Sequence, residues 1–233
     1  MNVIIGDIHG CFDELMELLD VVGPGKDDRI IGLGDLVDRG PKSPEVVNFF
    51  RTTPNATSLL GNHERKHERF PRGLIHPDHF TKSQQVTVAQ FEARNKISVQ
   101  TSYEEALEYF RTLPLYIDLP EAILVHGGLI YGVSFAEQDE RILTGAAFME
   151  ANARSPQGLF NWCHLYPSNE KPVIFGHKTI GIPPWPLPQR ENLWPIDTGC
   201  ARGWLLTALT LPDFKVYQVK SRRTRFDVQN APA

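Results

Sequence analysis

The segment "NVIIGDIHGC" (residues 2–11) sets three aliphatic side chains, Val3, Ile4 and Ile5, directly before an acid and an imidazole bracketed by Gly6 and Gly10. A short apolar run of this kind reads as a buried strand. Residues two apart in extended backbone point to the same side, so Asp7 and His9 can face one point beyond the strand end. Working outward, Cys11–Val22 carries Phe12, Leu15, Met16, Leu19 and Val22 at helical spacing. Arg29–Leu33 is a second apolar run, and Pro41 and Ser43 supply helix-start chemistry ahead of an apolar face of Val46, Val47, Phe49 and Phe50. Ala56–Leu60 is a third strand candidate. This β-α-β-α-β rhythm predicts an α/β protein whose strand-end loops carry the function.

From Glu64 to about Leu113 the pattern turns to charged, helix-favouring sequence such as "SYEEALEYFRTLP", read as a helical insertion, or cap, after the third strand. Short apolar runs return at Ala122–Val125, Val173–Phe175, Leu193–Ile196, Trp204–Leu209 and Lys215–Val219, the last two expected as an antiparallel pair. "GIPPWPLPQRENLWP" (181–195) is too proline-rich for a helix or a central strand and reads as a long loop. The expected organisation is one domain over 1–225 with the insertion at about 64–113, and a flexible tail at 226–233. The basic run "KSRRTR" (220–225) is expected to be solvated.

The bulk properties are those of a globular chain: 233 residues, 41% hydrophobic, formal net charge −4. That balance gives no global attraction to nucleic acid or anionic membrane, so stable nucleic-acid binding is not expected. Three widely spaced cysteines, Cys11, Cys163 and Cys200, fit neither a disulfide framework nor a CxxC zinc site. No apolar stretch reaches the ~18 residues of a membrane span, and removing a leader of ~20 residues would delete the "IIGDIHG" segment. The expected compartment is the cytoplasm.

The chemistry lies where the apolar runs end. After Asp7 and His9, "GLGDLVDRGP" supplies Asp35, Asp38 and Arg39, "LLGNHE" supplies Asn62 and His63, "ILVHGG" supplies His126, and "VIFGH" supplies His177. Any one of these alone reads equally as a turn or a hydrogen-bonded structural residue. Together they would bury several carboxylates and imidazoles without partners, a cost that convergence on cations removes. The mixed Asp/His/Asn set is too oxygen-rich for structural zinc and too nitrogen-rich for a calcium or magnesium cage, which points to manganese, iron, cobalt or zinc. It is also too numerous for one tetrahedral ion, so a two-metal centre sharing a carboxylate is expected, and with it phosphate ester hydrolysis.

"GDIHG", "GDLVDRG", "GNHE", "HGG" and "GH", in this order from Gly6 to His177, resemble the calcineurin-like metallophosphoesterases. Within them the likeness is to the phosphoprotein-phosphatase branch, which holds Ser/Thr protein phosphatases and bacterial bis(5'-nucleosyl)-tetraphosphatases. The resemblance implies a β-sandwich flanked by helices, with Asp7, His9 and Asp35 around one divalent metal, and Asp35, Asn62, His126 and His177 around the other. Asp35 would be the bridge; Mn²⁺ is the first expectation, with Fe, Zn, Co or Ni as alternatives. It implies direct attack by metal-bound hydroxide, His63 as the general acid held by Asp38, and Arg39 as a phosphate clamp.

The branch of protein phosphatases places an arginine immediately before "GNHE"; this chain has Leu60. It also reads "IDTGCARGWLLTAL", similar to "IDTGC" in the bacterial tetraphosphatase-like proteins. Lys66 and Arg69 are candidates to replace the missing clamp; the alternative sets them with Glu64, Arg65 and Glu68 on an exposed helix face. His67, His76, His79 and His164 fall outside the strand-end pattern and are expected to be exposed or structural. Trp185 and Trp194 could form a wall against a nucleobase. The expected substrates are dinucleoside polyphosphates or phosphomonoesters, with a Ser/Thr phosphoprotein as alternative. A metal-dependent nuclease or a non-catalytic scaffold for phosphorylated partners stands behind these.

Overall fold

A computed structural model describes residues 1–95, 101–146, 161–179, 186–187 and 190–223. Trp185, Thr224, Arg225 and the expected tail at 226–233 lie outside the described residues, as does much of the proline-rich stretch before Leu193. The first three strands, β1 (Asn2–Ile5), β2 (Arg29–Gly32) and β3 (Ala56–Ser58), alternate with α1 (Phe12–Val22) and α2 (Ser43–Thr52). They pair in parallel, as the β-α-β-α-β rhythm requires. Then come α3 (Asn62–Arg69), α4 (Lys82–Asn95) and α5 (Tyr103–Thr112), which are the helices expected after the third strand. The remaining strands are β4 (Tyr116–Asp118), β5 (Ile123–Val125), β6 (Val173–Phe175), β7 (Leu193–Pro195), β8 (Leu205–Leu211) and β9 (Lys215–Lys220), with a short helix α6 (Glu140–Leu143) between β5 and β6.

Two sheets result, in the orders β3-β2-β1-β8-β9 and β4-β5-β6-β7. The β8–β9 pair is antiparallel, as expected. β4 was not foreseen: three residues after Pro114, ending on exposed Asp118, carry too little pattern to read. The period of two sorts the strand residues between layers. Ile4, Ile31, Leu124, Ile174 and Leu209 meet in one buried core between the sheets. Val3 and Ile5 point the other way, into a core with Leu15, Leu18, Val46 and Phe50 of α1 and α2. Ile123, Val125, Val173 and Phe175 pack on Trp162 and Leu143. The architecture is a two-sheet sandwich with helices outside.

Phe91 of α4 and Ala106, Leu107 and Phe110 of α5 belong to the same core as α1 and α2. The inserted helices are therefore continuous with the body of the domain on that side. Cys11 and Cys200, 189 positions apart in sequence, also come together there: their sulfurs and a Glu14 carboxylate oxygen lie within 4.8 Å of one another. Both cysteines are buried free thiols. The basic run is partly docked. Arg223 Nη1 donates to the carbonyls of Arg39 (2.7 Å) and Ala201 (3.0 Å). Among the described residues, no helix is long and apolar enough to cross a membrane.

Candidate metal centre and catalytic site

Every residue of the strand-end pattern sits at the carboxyl end of a parallel strand, where open α/β sheets bind ligands. Asp7 and His9 follow β1; Asp35, Asp38 and Arg39 follow β2; Asn62 and His63 open α3 just after β3. His126 and His177 follow β5 and β6 in the second sheet. The two sheets thus present their loops to one place.

Asp35 lies at the centre. Its Oδ2 is 3.4 Å from His9 Nε2, and its Oδ1 is 3.4 Å from His126 Nε2. Donor atoms of Asp35, His126 and His177 all fall within 4.8 Å of one another, as do those of His9, Asp35 and His63. Asn62 Oδ1 lies 3.1 Å from His126 Nε2 and 2.8 Å from His177 Nδ1. Asp7 stands slightly apart, both its oxygens accepting the His177 backbone N–H at 3.1 Å.

Backbone carbonyls set the histidine tautomers. His9 donates Nδ1–H to Val37 O (2.8 Å) and His126 donates Nδ1–H to Leu33 O (2.9 Å), which turns the bare Nε2 of each toward Asp35. Burial, with Arg39 adding to it, holds the His9 imidazole well below its usual range; burial lowers His126 also, and takes His177 down to about 3. The three rings are therefore held neutral, the form in which an imidazole can accept a metal ion. Burial raises the Asp7 carboxyl well above the ordinary value, and the charges of Asp197 and Asp35 push it further. Burial opposes ionisation of Asp35 too, but the His126, His63 and His9 rings, which carry charge only at the low pH where this carboxyl titrates, act with Arg39 to outweigh it and hold that carboxyl low. Neutral imidazoles, an amide oxygen and crowded buried carboxylates fit divalent cations, whose charge relieves the repulsion among the acids.

The backbone bears the mark of this crowding. His9, Asp35, Asp38, Arg39 and His177 all have positive φ, between 48° and 71°. This region is costly for residues with a Cβ and clusters at functional sites. Glycines make the close packing possible: a Cβ on Gly61 would meet Asp35 Oδ1 at 2.3 Å, and one on Gly176 would meet Asp7 Oδ1 at 2.2 Å.

Beside the carboxylate and imidazole cluster stands a second network. Asp38 accepts from His63 Nδ1 (2.5 Å) and His67 Nε2 (2.9 Å), from Thr87 Oγ1 (2.7 Å) and from Gln84 Nε2. Burial would raise its pKa, but His67 and His63 overcome this and hold the carboxyl well below the usual range. Arg39 points its guanidinium between the two clusters, donating Nη1 to His9 Nε2 and Nη2 to His63 Nε2 (3.0 Å). Lys66 lies four residues after Asn62 on α3, hence on the same face. Arg69 also lies on that side, 3.6 Å from Glu140 of α6, with Arg65 at 2.5 Å from the same carboxylate.

Three residues outside the candidate set belong to the site. Glu64, read as a surface charge, is fully buried and accepts four backbone N–H groups, from Asp35 and Leu36 (2.8 Å each), Gly61 (3.1 Å) and Val37 (3.2 Å). His67, set aside as exposed or structural, is fully buried between Asp38 and the Tyr103 hydroxyl, 2.9 Å from Nδ1. Asp197 is buried beyond β7, accepting from Thr179 Oγ1 (2.7 Å) and Gly199 N (2.9 Å). The same strand-end rule applied to Leu193–Ile196 finds it. Trp194 instead packs on Phe214, 5.2 Å between ring centres.

A two-sheet sandwich with Asp, His and Asn at the ends of its parallel strands defines a class of metal-dependent phosphoesterases. The calcineurin-like phosphoesterase family matches residues 3–211, and the chain belongs to it; it is a hydrolase of phosphoester or phosphoanhydride bonds. Among its relatives is the asymmetrical bis(5'-nucleosyl)-tetraphosphatase PrpE of Halalkalibacterium halodurans, 31% identical with 94% of each chain covered. The enzyme of the same name from Bacillus subtilis is 28% identical over 94% of this chain and 93% of its own. A solved structure provisionally described as a diadenosine tetraphosphatase superposes with a TM-score of 0.71 at 23% identity, over 96% of this chain and 94% of its own, which shows the shared fold.

Proposed function

We propose that this chain is a two-metal phosphohydrolase of dinucleoside polyphosphates, cleaving one phosphoanhydride of the tetraphosphate with water to give a nucleoside triphosphate and a nucleoside monophosphate. The observation that carries the two-metal reading is the placement of Asp35, whose separate oxygens face His9 on one side and His126 on the other. Asp35 is the shared carboxylate, with His9 and Asp7 on its first side and Asn62, His126 and His177 on its second. These residues would hold two divalent cations, Mn²⁺ foremost, which when bound would supply Lewis-acid charge for phosphoryl oxygens and for an attacking water.

The remaining steps belong to the protein's own groups. Arg39 offers a planar fork to phosphoryl oxygens as charge builds in the in-line transition state. His63, whose Nε2 takes up a proton once Arg39 Nη2 turns from it to the phosphate, gives that proton to the departing oxygen, and buried Asp38 steadies the resulting changes of charge on the ring. Lys66 adds a cation on the helix face it shares with Asn62. The tetraphosphatase relatives, matched over nearly their whole lengths, support the substrate class.

The test is the ratio of kcat/KM for diadenosine tetraphosphate and for a phosphothreonine peptide, with Mn²⁺ present and products separated. A ratio well above one, with ATP and AMP as products, supports the proposal. Two ADP would mean symmetrical cleavage. A ratio below one would make the chain a phosphoprotein phosphatase.

A further inference from the structure

A cavity of about 400 Å³ opens beside Arg39, lined by Gly40 and Pro41, by Ser83 and Val86 of α4, and by Arg222 and Arg223. That volume falls within the range of about 300–1,000 Å³ typical of small-molecule sites. It lies beside the segment of α4 that holds Asp38 and His63, the proposed acid for the leaving oxygen. Ser83 Oγ accepts the Arg39 N–H at 3.1 Å, and the next residue, Gln84, donates to the Asp38 carboxylate and lies 3.5 Å from His63 Nδ1.

Its charge is specific. Asp13 also lines it but is neutralised by Lys42 at 2.7 and 2.8 Å, and Glu14 accepts the Arg222 N–H at 2.8 Å. Arg222 pairs outward with Glu17 at 2.9 Å. Arg223 differs: its Nη1 is fixed by two backbone carbonyls, those of Arg39 and Ala201, and its guanidinium has no carboxylate partner among the described residues. Carbonyl oxygens orient a guanidinium without cancelling its charge. Glu14 keeps its charge for the same reason, so the lining sets the cations of Arg39 and Arg223 against one carboxylate unpaired among the described residues, beside the side chains of Pro41 and Val86, a balance that suits a phosphate joined to a flat heterocycle.

We propose that this cavity is a nucleotide subsite that takes the departing portion of the substrate, with Arg223 on its phosphates and its base between Pro41 and Val86. The inference rests on the reading of the chain as a dinucleoside polyphosphatase, and it gives a role to the docking of Arg223 on the Arg39 carbonyl.

The experiment fills the cavity with Val86→Trp. Two quantities are compared with wild type: ADP binding to the metal-free protein by calorimetry, and the ratio of kcat/KM for diadenosine tetraphosphate to that for p-nitrophenyl phosphate in Mn²⁺. Both are expected to fall by about tenfold or more, as when a pocket loses a well-placed group. Unchanged ADP affinity or an unchanged ratio overturns the subsite, as does an equal fall in turnover of a phosphothreonine peptide. Should V86W fail to fold, Arg223→Gln is judged by ADP binding on the same criterion. Wild type that hydrolyses p-nitrophenyl phosphate but not diadenosine tetraphosphate refutes the proposed substrate, while the calorimetry still decides on the cavity.

Discussion

His63 donates Nδ1–H to Asp38 Oδ2 across 2.5 Å, and both side chains are buried. An imidazole oriented in this way is suited to protonate a leaving oxygen. Replacing His63 by Ala is expected to lower kcat about 10²- to 10⁴-fold for substrates with poor leaving groups. The loss should be much smaller with p-nitrophenolate, which departs without a proton. Steady-state kinetics over a leaving-group series measures this, and equal losses throughout would remove the general-acid role.

Asp38 also has a thermodynamic signature. Its carboxyl titrates below the usual range in the folded protein, so the folded state binds its proton less readily than the unfolded chain does. The stability this provides is fully present above the unfolded value of about 4 and is lost as pH falls through the folded value. Urea unfolding between pH 3 and 6 should show a shallower acid loss for Asp38→Asn than for wild type. Parallel curves would contradict the assignment.

Asp35→Asn removes one charge from the centre of the candidate metal site. Metal-dependent turnover is expected to fall at least about 10³-fold, and Mn²⁺ titration by calorimetry should lose affinity. Because the proposed ligands come from both sheets, chelation of wild type should lower Tm, and Mn²⁺ at about 100 times Kd should restore about 2.7 kcal/mol. A Tm indifferent to chelator would count against metal bridging of the sheets.

Glu64→Gln turns an amide NH₂ toward backbone N–H groups that now share two carboxylate oxygens. Leaving such donors unsatisfied costs about 3 kcal/mol, a fall in Tm of roughly 6–12 °C for a chain of this size. Differential scanning calorimetry tests it; a near-neutral change would mean that the β2–α2 loop holds its shape without Glu64.

Lys66 and Arg69 should separate. Lys66 shares a helix face with Asn62, whereas Arg69 is drawn to Glu140 at 3.6 Å. Lys66→Ala is therefore expected to raise KM for diadenosine tetraphosphate by about fivefold to tenfold, and Arg69→Ala by less than about twofold. The reverse order would make Arg69 the substitute for the arginine that Leu60 replaces.

The ligand candidates were legible because each depends only on a short apolar run and the polar residue that ends it, and a strand delivers that residue to a fixed edge. Glu64 and His67 were not, although they lie on a helix placed correctly in the sequence. Helical spacing shows which residues share a face, but not which faces are covered: Tyr103 arrives from 36 positions away to meet His67, and the loop after β2 brings the N–H groups of Asp35, Leu36 and Val37 onto Glu64. The meeting of Cys11 with Cys200 was hidden for a related reason. It depends on β8 entering between β1 and β9, a pairing that no local pattern encodes.

The five left-handed residues around the site imply an opposition between durability and turnover. At His9, Asp35, Asp38, Arg39 and His177, glycine would suit the main chain better than the native side chain does, so selection for thermal tolerance alone would drift toward inert variants at these positions. Laboratory evolution of a hardier enzyme should leave these five untouched and look for its gains on the outward surfaces of the helices.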